Sequence, residues 1–275
     1  MRAGLHRFAR NRMALFGAAV LLGVMALVVF APLLYPGDPF RLAGPPLQPP
    51  GAAHLFGTDT LGRDVAAGIA HGARTSLLIG LGATSAAILF GAVIGGLAGY
   101  YRGVVELVLM RFTEFFQTIP AFVLAILVVA ILSPSVTTEI IAIAAVSWPG
   151  IARLVRGEFV SLGGREFVLA CTGLGASDSR IIFRHLLPNC TSSIIAVGSL
   201  LTATAILIES GLAFLGLGDP NVMSWGLIIS AGRAVLRSAW WVCTFPGVAI
   251  LLTVLAINLV GDGLNEALNP RLRER

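Results

Sequence analysis

Long uncharged runs alternate along this chain with short arginine-bearing ones, and the alternation predicts helices that cross a bilayer. Uncharged residues fill 13–37, 75–101, 115–138, 190–208 and 238–261, each near or above the roughly 20 apolar residues a spanning helix needs. A shorter run, 140–152, contains Trp148-Pro149-Gly150 and reaches spanning length by continuing past Arg153 to Val155. Pro149 predicts a kink there. Six spans result. The Gly-rich stretch 210–232, bounded by Glu209 and Arg233, reads as a segment on one membrane face, partly re-entrant. Residues 36–53 carry six prolines and predict a loop with little regular structure.

One polar island breaks the apolar pattern. In 165–189 the residues Phe167, Ala170, Cys171 and Leu174 fall on one helical stripe, and Ile181, Ile182 and Leu186 on the next, with a break at Gly175 between two short amphipathic helices. Ser177 or Asp178 can cap the second helix, and Pro188 opens the segment that follows. A helix pair of this shape between spans suits a partner's groove; it equally suits a loop lying on the bilayer surface.

Composition narrows the class. Hydrophobic residues make up 56% of the 275 and charged residues 12%, with a mean hydropathy of +0.88, which places the chain among polytopic membrane proteins. The net charge of +5 rests on nineteen arginines and no lysine. With those charges confined to loops, lipid headgroups are the expected counterparts and a nucleic-acid footprint is not. A phosphate-cradling P-loop requires its lysine, so ATP-driven work would come from another subunit. Cys171, Cys190 and Cys243 lack paired spacing, and His6, His54, His71 and His185 are scattered; they predict packing thiols and no metal centre.

Orientation follows from the arginines. With the N-terminus inside, fourteen fall in cytoplasmic segments (Arg2, Arg7, Arg10, Arg12, Arg102, Arg111, Arg153, Arg156, Arg165, Arg180, Arg184, Arg271, Arg273, Arg275) and five outside (Arg41, Arg63, Arg74, Arg233, Arg237). Both termini and the island are therefore expected in the cytosol. The first apolar run is too long for a signal peptide and reads as an anchor. The expected organisation is 1–74 as tail, first span and outer loop, 75–266 as a five-span unit, and 267–275 as a cytoplasmic tail.

The island resembles the EAA loop of binding-protein-dependent ABC importer permeases. Ala170 and Cys171 stand at that motif's two alanines, Gly175 at its glycine, and Leu186-Leu187-Pro188 at its ending. The motif Glu is replaced by Leu169, and Glu166 lies one turn earlier. Further segments resemble the dipeptide/oligopeptide/nickel branch of that family: His54 to Val65 with Gly72 to Ser76, Gly99 to Gly103 with Leu109 to Glu114, Glu209 to Gly218 with Trp225, and Asn258 to Asp262 with Asn269 to Leu272. Glu114 and Asn269 stand where the branch usually has Asp.

The resemblance implies an all-α membrane protein of six transmembrane helices with the type I ABC importer permease fold. A cytoplasmic EAA-type coupling helix would sit between spans 4 and 5. It implies a heterodimer with a second homologous permease, two cytosolic ATPase subunits that bind ATP and Mg, and an extracytoplasmic substrate-binding protein, with no cofactor in this chain. ATPase coupling would fall on Arg165, Glu166, Leu169, Ala170, Cys171, Gly175, Ala176, Asp178, Arg184, Leu187 and Pro188. Gly57, Asp59, Gly62, Arg63 and Asp64 suggest an outer-face turn locked by charge pairs. Two intramembrane carboxylates are candidates for the pathway or gate. Glu114 is either that or a helix-end charge paired with Arg111; Glu209 is either that or a backbone partner for 211–218. Di- or oligopeptides are the expected cargo, nickel or a nickel chelate the alternative, and a secondary transporter the distant one. An intramembrane hydrolase lacks its Ser–His or paired-Asp chemistry here.

Overall fold

The computed structural model describes residue 8 and residues 10–268. The expected tail beyond these, with Asn269, Arg271, Arg273 and Arg275, lies outside the described residues, as do Arg2, Arg7 and His6. The described residues are helical throughout, apart from loops and two isolated β-bridges, Leu42 with Arg63 and Thr58 with Asp64.

The helices are α1 (Arg12–Leu34), α2 (Val65–Tyr101), α3 (Gly103–Thr118), α4 (Ala121–Leu132), α5 (Val136–Gly163), α6 (Glu166–Gly173), α7 (Asp178–Arg180), α8 (Leu187–Phe214), α9 (Trp225–Gly232) and α10 (Trp241–Leu268). A π-helical turn, Ile181–Leu186, joins α7 to α8, so Asp178–Phe214 runs as one apolar helix. Among the described residues five helices are long and apolar enough to cross a membrane, six if the α3–α4 pair counts as one span.

Two spans differ from the pattern-based expectation. The run 115–138 is not a single helix: α3 and α4 meet at an 85° bend. The cause is Ile119-Pro120. Proline drives the residue before it out of helical geometry, and Ile119 sits at φ −92°, ψ 130° with Pro120 at ψ 128°. The second span begins at Val65 rather than at Thr75. Asp64 caps it by accepting from Ala67 N at 3.0 Å, so the polar His71 and Arg74 lie in its first turns.

α2 and α5 form the spine of the bundle, and small residues let them touch. Gly91, Gly95 and Gly99 recur every four residues along one face of α2, a pattern that brings helix backbones together. A Cβ at Gly91 would lie 2.7 Å from Ile151 Cβ, one at Gly99 2.7 Å from Phe159 Cβ, and one at Gly95 would meet the Ala152 carbonyl. Trp148 completes this seam, stacked on Phe112 and edge-on to Phe116 of α3. α1 packs against α10, with Gly17 facing the Ala256 carbonyl.

Loops gather at the two ends of the bundle. One end carries 36–64, 133–135 and 215–240; the other carries Arg102 and 164–186. Apolar clusters seal each end. Val65, Met223, Trp225 and Trp241 are buried at the first, and Phe159, Val168, Ile181 and Leu186 at the second.

Candidate functional site

The island forms a helical hairpin whose turn is fixed by backbone chemistry. α6 ends at Leu174 in a Schellman motif: Gly175 N donates to Thr172 O at 3.0 Å and Ala176 N to Cys171 O at 3.1 Å. That closure puts Gly175 at φ +73°, the left-handed region only glycine enters freely. A Cβ there would meet nothing within 4 Å, so the requirement is conformational, not one of space.

The predicted apolar stripe exists but does not pack as a unit. Val168, with 4% exposure, and Cys171 face the bundle. Phe167, Leu169 and Leu174 are exposed, Leu174 at 88%, together with Ala170. Phe183 adds a further exposed ring. The hairpin thus turns an apolar face away from its own protein. Arg165, Glu166, Asp178 and Arg184 are exposed around it, and Ala176 is half-buried.

The second helix of the hairpin differs from expectation. Ser177 occupies the N-cap position without a side-chain cap bond, and Asp178 instead accepts from Tyr100 Oη at 2.8 Å, tying the hairpin to the end of α2. Nor does the helix stop before Pro188. Proline lacks an N–H and crowds the carbonyl four residues back; the widened turn absorbs this, with Leu187 N donating to Ile182 O. Asn189 Nδ2 donates to the His185 carbonyl at 2.5 Å. In an α-helix positions five apart diverge, but the wider π-turn brings Ile181 and Leu186, each 1% exposed, onto one buried face.

At the opposite end the 54–64 turn is held by backbone bonds and glycines, which corrects the expectation of charge pairs. Asp59 Oδ1 accepts from Leu61 N and Arg63 N, both at 2.8 Å. Gly57 and Gly62 stand at φ +75° and +84°; a Cβ on Gly57 would come within 2.5 Å of the Gln48 carbonyl. Arg63 pairs with neither aspartate and lies 4.8 Å over the Phe40 ring. Asp64 Oδ2 meets His54 Nδ1 at 2.8 Å, an ion pair only when the imidazole is protonated. Burial, and behind it the Asp64 carboxylate, raises the Tyr35 phenol above its usual pKa, keeping it neutral. Trp241 Nε1 donates to the Thr58 carbonyl at 3.1 Å and fastens the turn to α10.

Glu114 and Glu209 occupy opposite environments. Glu114 is exposed and pairs with Arg111 Nη1 at 2.9 Å. Glu209 is 0% exposed and accepts from Ser210 Oγ at 3.1 Å and Ser76 Oγ at 3.4 Å. A third carboxylate, Glu139, escapes the sequence pattern because it falls between two apolar runs and reads as their boundary. It is 1% exposed in the first turn of α5.

A bundle of apolar helices around a glycine seam, with a tethered hairpin at one end, defines a multi-pass membrane protein. The chain belongs to the family of binding-protein-dependent transport system inner membrane components, which matches residues 87–274, while residues 1–50 match the N-terminal TM domain of oligopeptide transport permease C. It is 40% identical to the dipeptide transport system permease protein DppC of Alkalihalophilus pseudofirmus over 275 residues, covering 99% of this chain and 90% of that one. It is 41% identical to the di/tripeptide transport system permease protein DppC of Pseudomonas aeruginosa, covering 97% and 90%. Against the oligopeptide transport system permease protein OppC of Bacillus subtilis the identity is 36%, covering 98% and 88%. The inward-facing MetNI methionine ABC transporter matches in fold, with a TM-score of 0.56 at 19% identity over 70% of this chain and 94% of that one. The chain is therefore a transport subunit of an ABC system that works with other subunits.

Proposed function

We propose that this chain is one of two homologous permease subunits of an ATP-driven importer for di- and oligopeptides in the bacterial cytoplasmic membrane. The observation that carries this reading is the hairpin at 166–186. Its exposed apolar face is built to be covered by another protein, and its second helix continues without interruption into a span. Two cytosolic ATPases, binding ATP and Mg, would take that face; Glu166, Arg165, Asp178 and Arg184 would rim it. Leu187 and Pro188, the first residues of α8, would take the motion from it into that helix and on to the pathway.

The arginine distribution supports cytosolic termini, with the 36–64 and 215–240 loops outside, where a substrate-binding protein would deliver cargo. On that reading the first part supplies the anchor and outer loop, the five-span unit begins with α2 at Val65 rather than at 75 and runs to 266, and 267–275 is the tail. Peptide cargo rests on the peptide systems named for the relatives, and selectivity would lie mainly with the binding protein. Glu209 fits a structural role as well as a gating one, because both its donors are serines of packed helices. Glu114, paired at the surface, fits a helix-end charge.

The test is ATP hydrolysis by the assembled transporter in lipid, with its binding protein empty, peptide-loaded or nickel-loaded. Stimulation by the peptide-loaded form supports the reading. Stimulation by nickel alone would keep the importer and replace its cargo, and failure to assemble with any ATPase would overturn the docking role of the hairpin.

A further inference from the structure

Two carboxylates are buried at the end of the bundle that carries the 36–64 loop, and they hold one segment at two points, its middle and the residue that follows it. The segment is the Gly-rich link 215–224 between α8 and α9. At its first pin Glu139 Oε1 accepts from Asp219 N at 3.0 Å, and Asp219 Oδ2 accepts in return from Val136 N at 3.4 Å. The link and the N-terminus of α5 thereby exchange bonds. At its second pin Trp225 N donates to Ser76 Oγ at 3.2 Å, and Ser76 Oγ donates to Glu209 Oε2. Ahead of the first pin the backbone turns at Gly216 with φ +83°, and Leu217 packs on the α4–α5–α8 cluster.

Glu139 uses only one of its oxygens in protein bonds. Among the described residues no protein donor bonds Glu139 Oε2, although it is buried, whereas serines surround Glu209. Among the described residues, too, neither carboxylate has a cationic partner within 4.0 Å. The bond from Asp219 N is what joins the link to α5 through Glu139, and without that oxygen the link keeps only the weaker return bond to Val136 N.

We infer that Glu139 is a positioning residue of an outer latch: it holds the 215–224 link against α5 while the outer end is closed and lets it go when that end opens. This rests on the reading of the chain as an importer permease with that end outside. Glu139 touches no cargo; it acts through the link. Because the latch favours the closed arrangement, weakening it shifts the population toward the open one before any binding protein arrives.

The test uses the complete transporter in lipid nanodiscs, with hydrogen exchange of the 215–224 amides and ATP hydrolysis without binding protein as readouts. Glu139→Gln keeps the oxygen that receives Asp219 N and should behave as wild type in both. Glu139→Leu removes it at similar volume. It should speed exchange in the link about tenfold, raise unstimulated hydrolysis and shrink the further stimulation by peptide-loaded binding protein. Faster exchange with unchanged hydrolysis would make Glu139 merely structural, and unchanged exchange would abolish the latch. Should Glu139→Leu fail to assemble, Asp219→Ala removes the returning bond to Val136 and is read the same way. A wild-type complex that no loaded binding protein stimulates would overturn the importer reading itself, a result distinct from any failure of the latch.

Discussion

Gly175 shows how much one residue can decide. Its positive φ closes the hairpin, and a side chain there would have room but the wrong backbone. Forcing an L-residue into that region costs about 1–2 kcal/mol, and a β-branched one suffers most. Gly175→Val should therefore insert normally yet lose most ATP-coupled uptake in proteoliposomes, while Gly175→Asn, which tolerates that region, should retain more; equal loss in both would remove the conformational argument. Glu114 stands at the other extreme. Its pair with Arg111 is exposed on both sides, and such pairs contribute little, so Glu114→Gln should leave peptide uptake within about twofold of wild type. Gly175 was legible in the sequence because glycine between two apolar stripes signals a helix stop. Glu139 was not, because a single carboxylate between apolar runs looks like a loop until packing shows it buried.

Among the helices, length and apolarity announced the spans, and the pattern went wrong where one residue outweighed them. Pro120 divides a run that carries no charge to mark the division. The first turns of α2 hold His71 and Arg74, so an apolar criterion starts that helix ten residues late. In the hairpin the periodicity predicted a stripe but not the direction it faces, since facing depends on what lies underneath. The α2–α5 seam was equally hidden, because glycines count for little in an apolar tally while deciding how closely two helices approach. Gly95 faces the Ala152 carbonyl directly. Gly95→Leu should overpack this seam by at least about 1–3 kcal/mol and sharply lower the yield of assembled complex in membranes, whereas a similar change at the open Gly150 should not.

For the molecule as a whole, an apolar face outside the spans that its own chain leaves uncovered supports the assembly proposed above. Leu174 contributes to that face and almost nothing to the fold, being 88% exposed. Leu174→Asp should thus leave thermal stability unchanged and weaken retention of the ATPase subunits on affinity purification by about tenfold, the scale of a well-placed interface residue; undiminished retention would move the docking surface elsewhere. The continuous helix Asp178–Phe214 carries a mechanical consequence. At about 1.5 Å per residue it is some 55 Å long, well beyond the roughly 30 Å of the bilayer core, with the hairpin at one tip and Glu209 near the other. A rod gripped at its waist moves its two tips in opposite directions. In the two-subunit assembly proposed above, a pull that draws the hairpins together would swing the far tips apart, so that a single see-saw stroke would close one mouth as it parts the other.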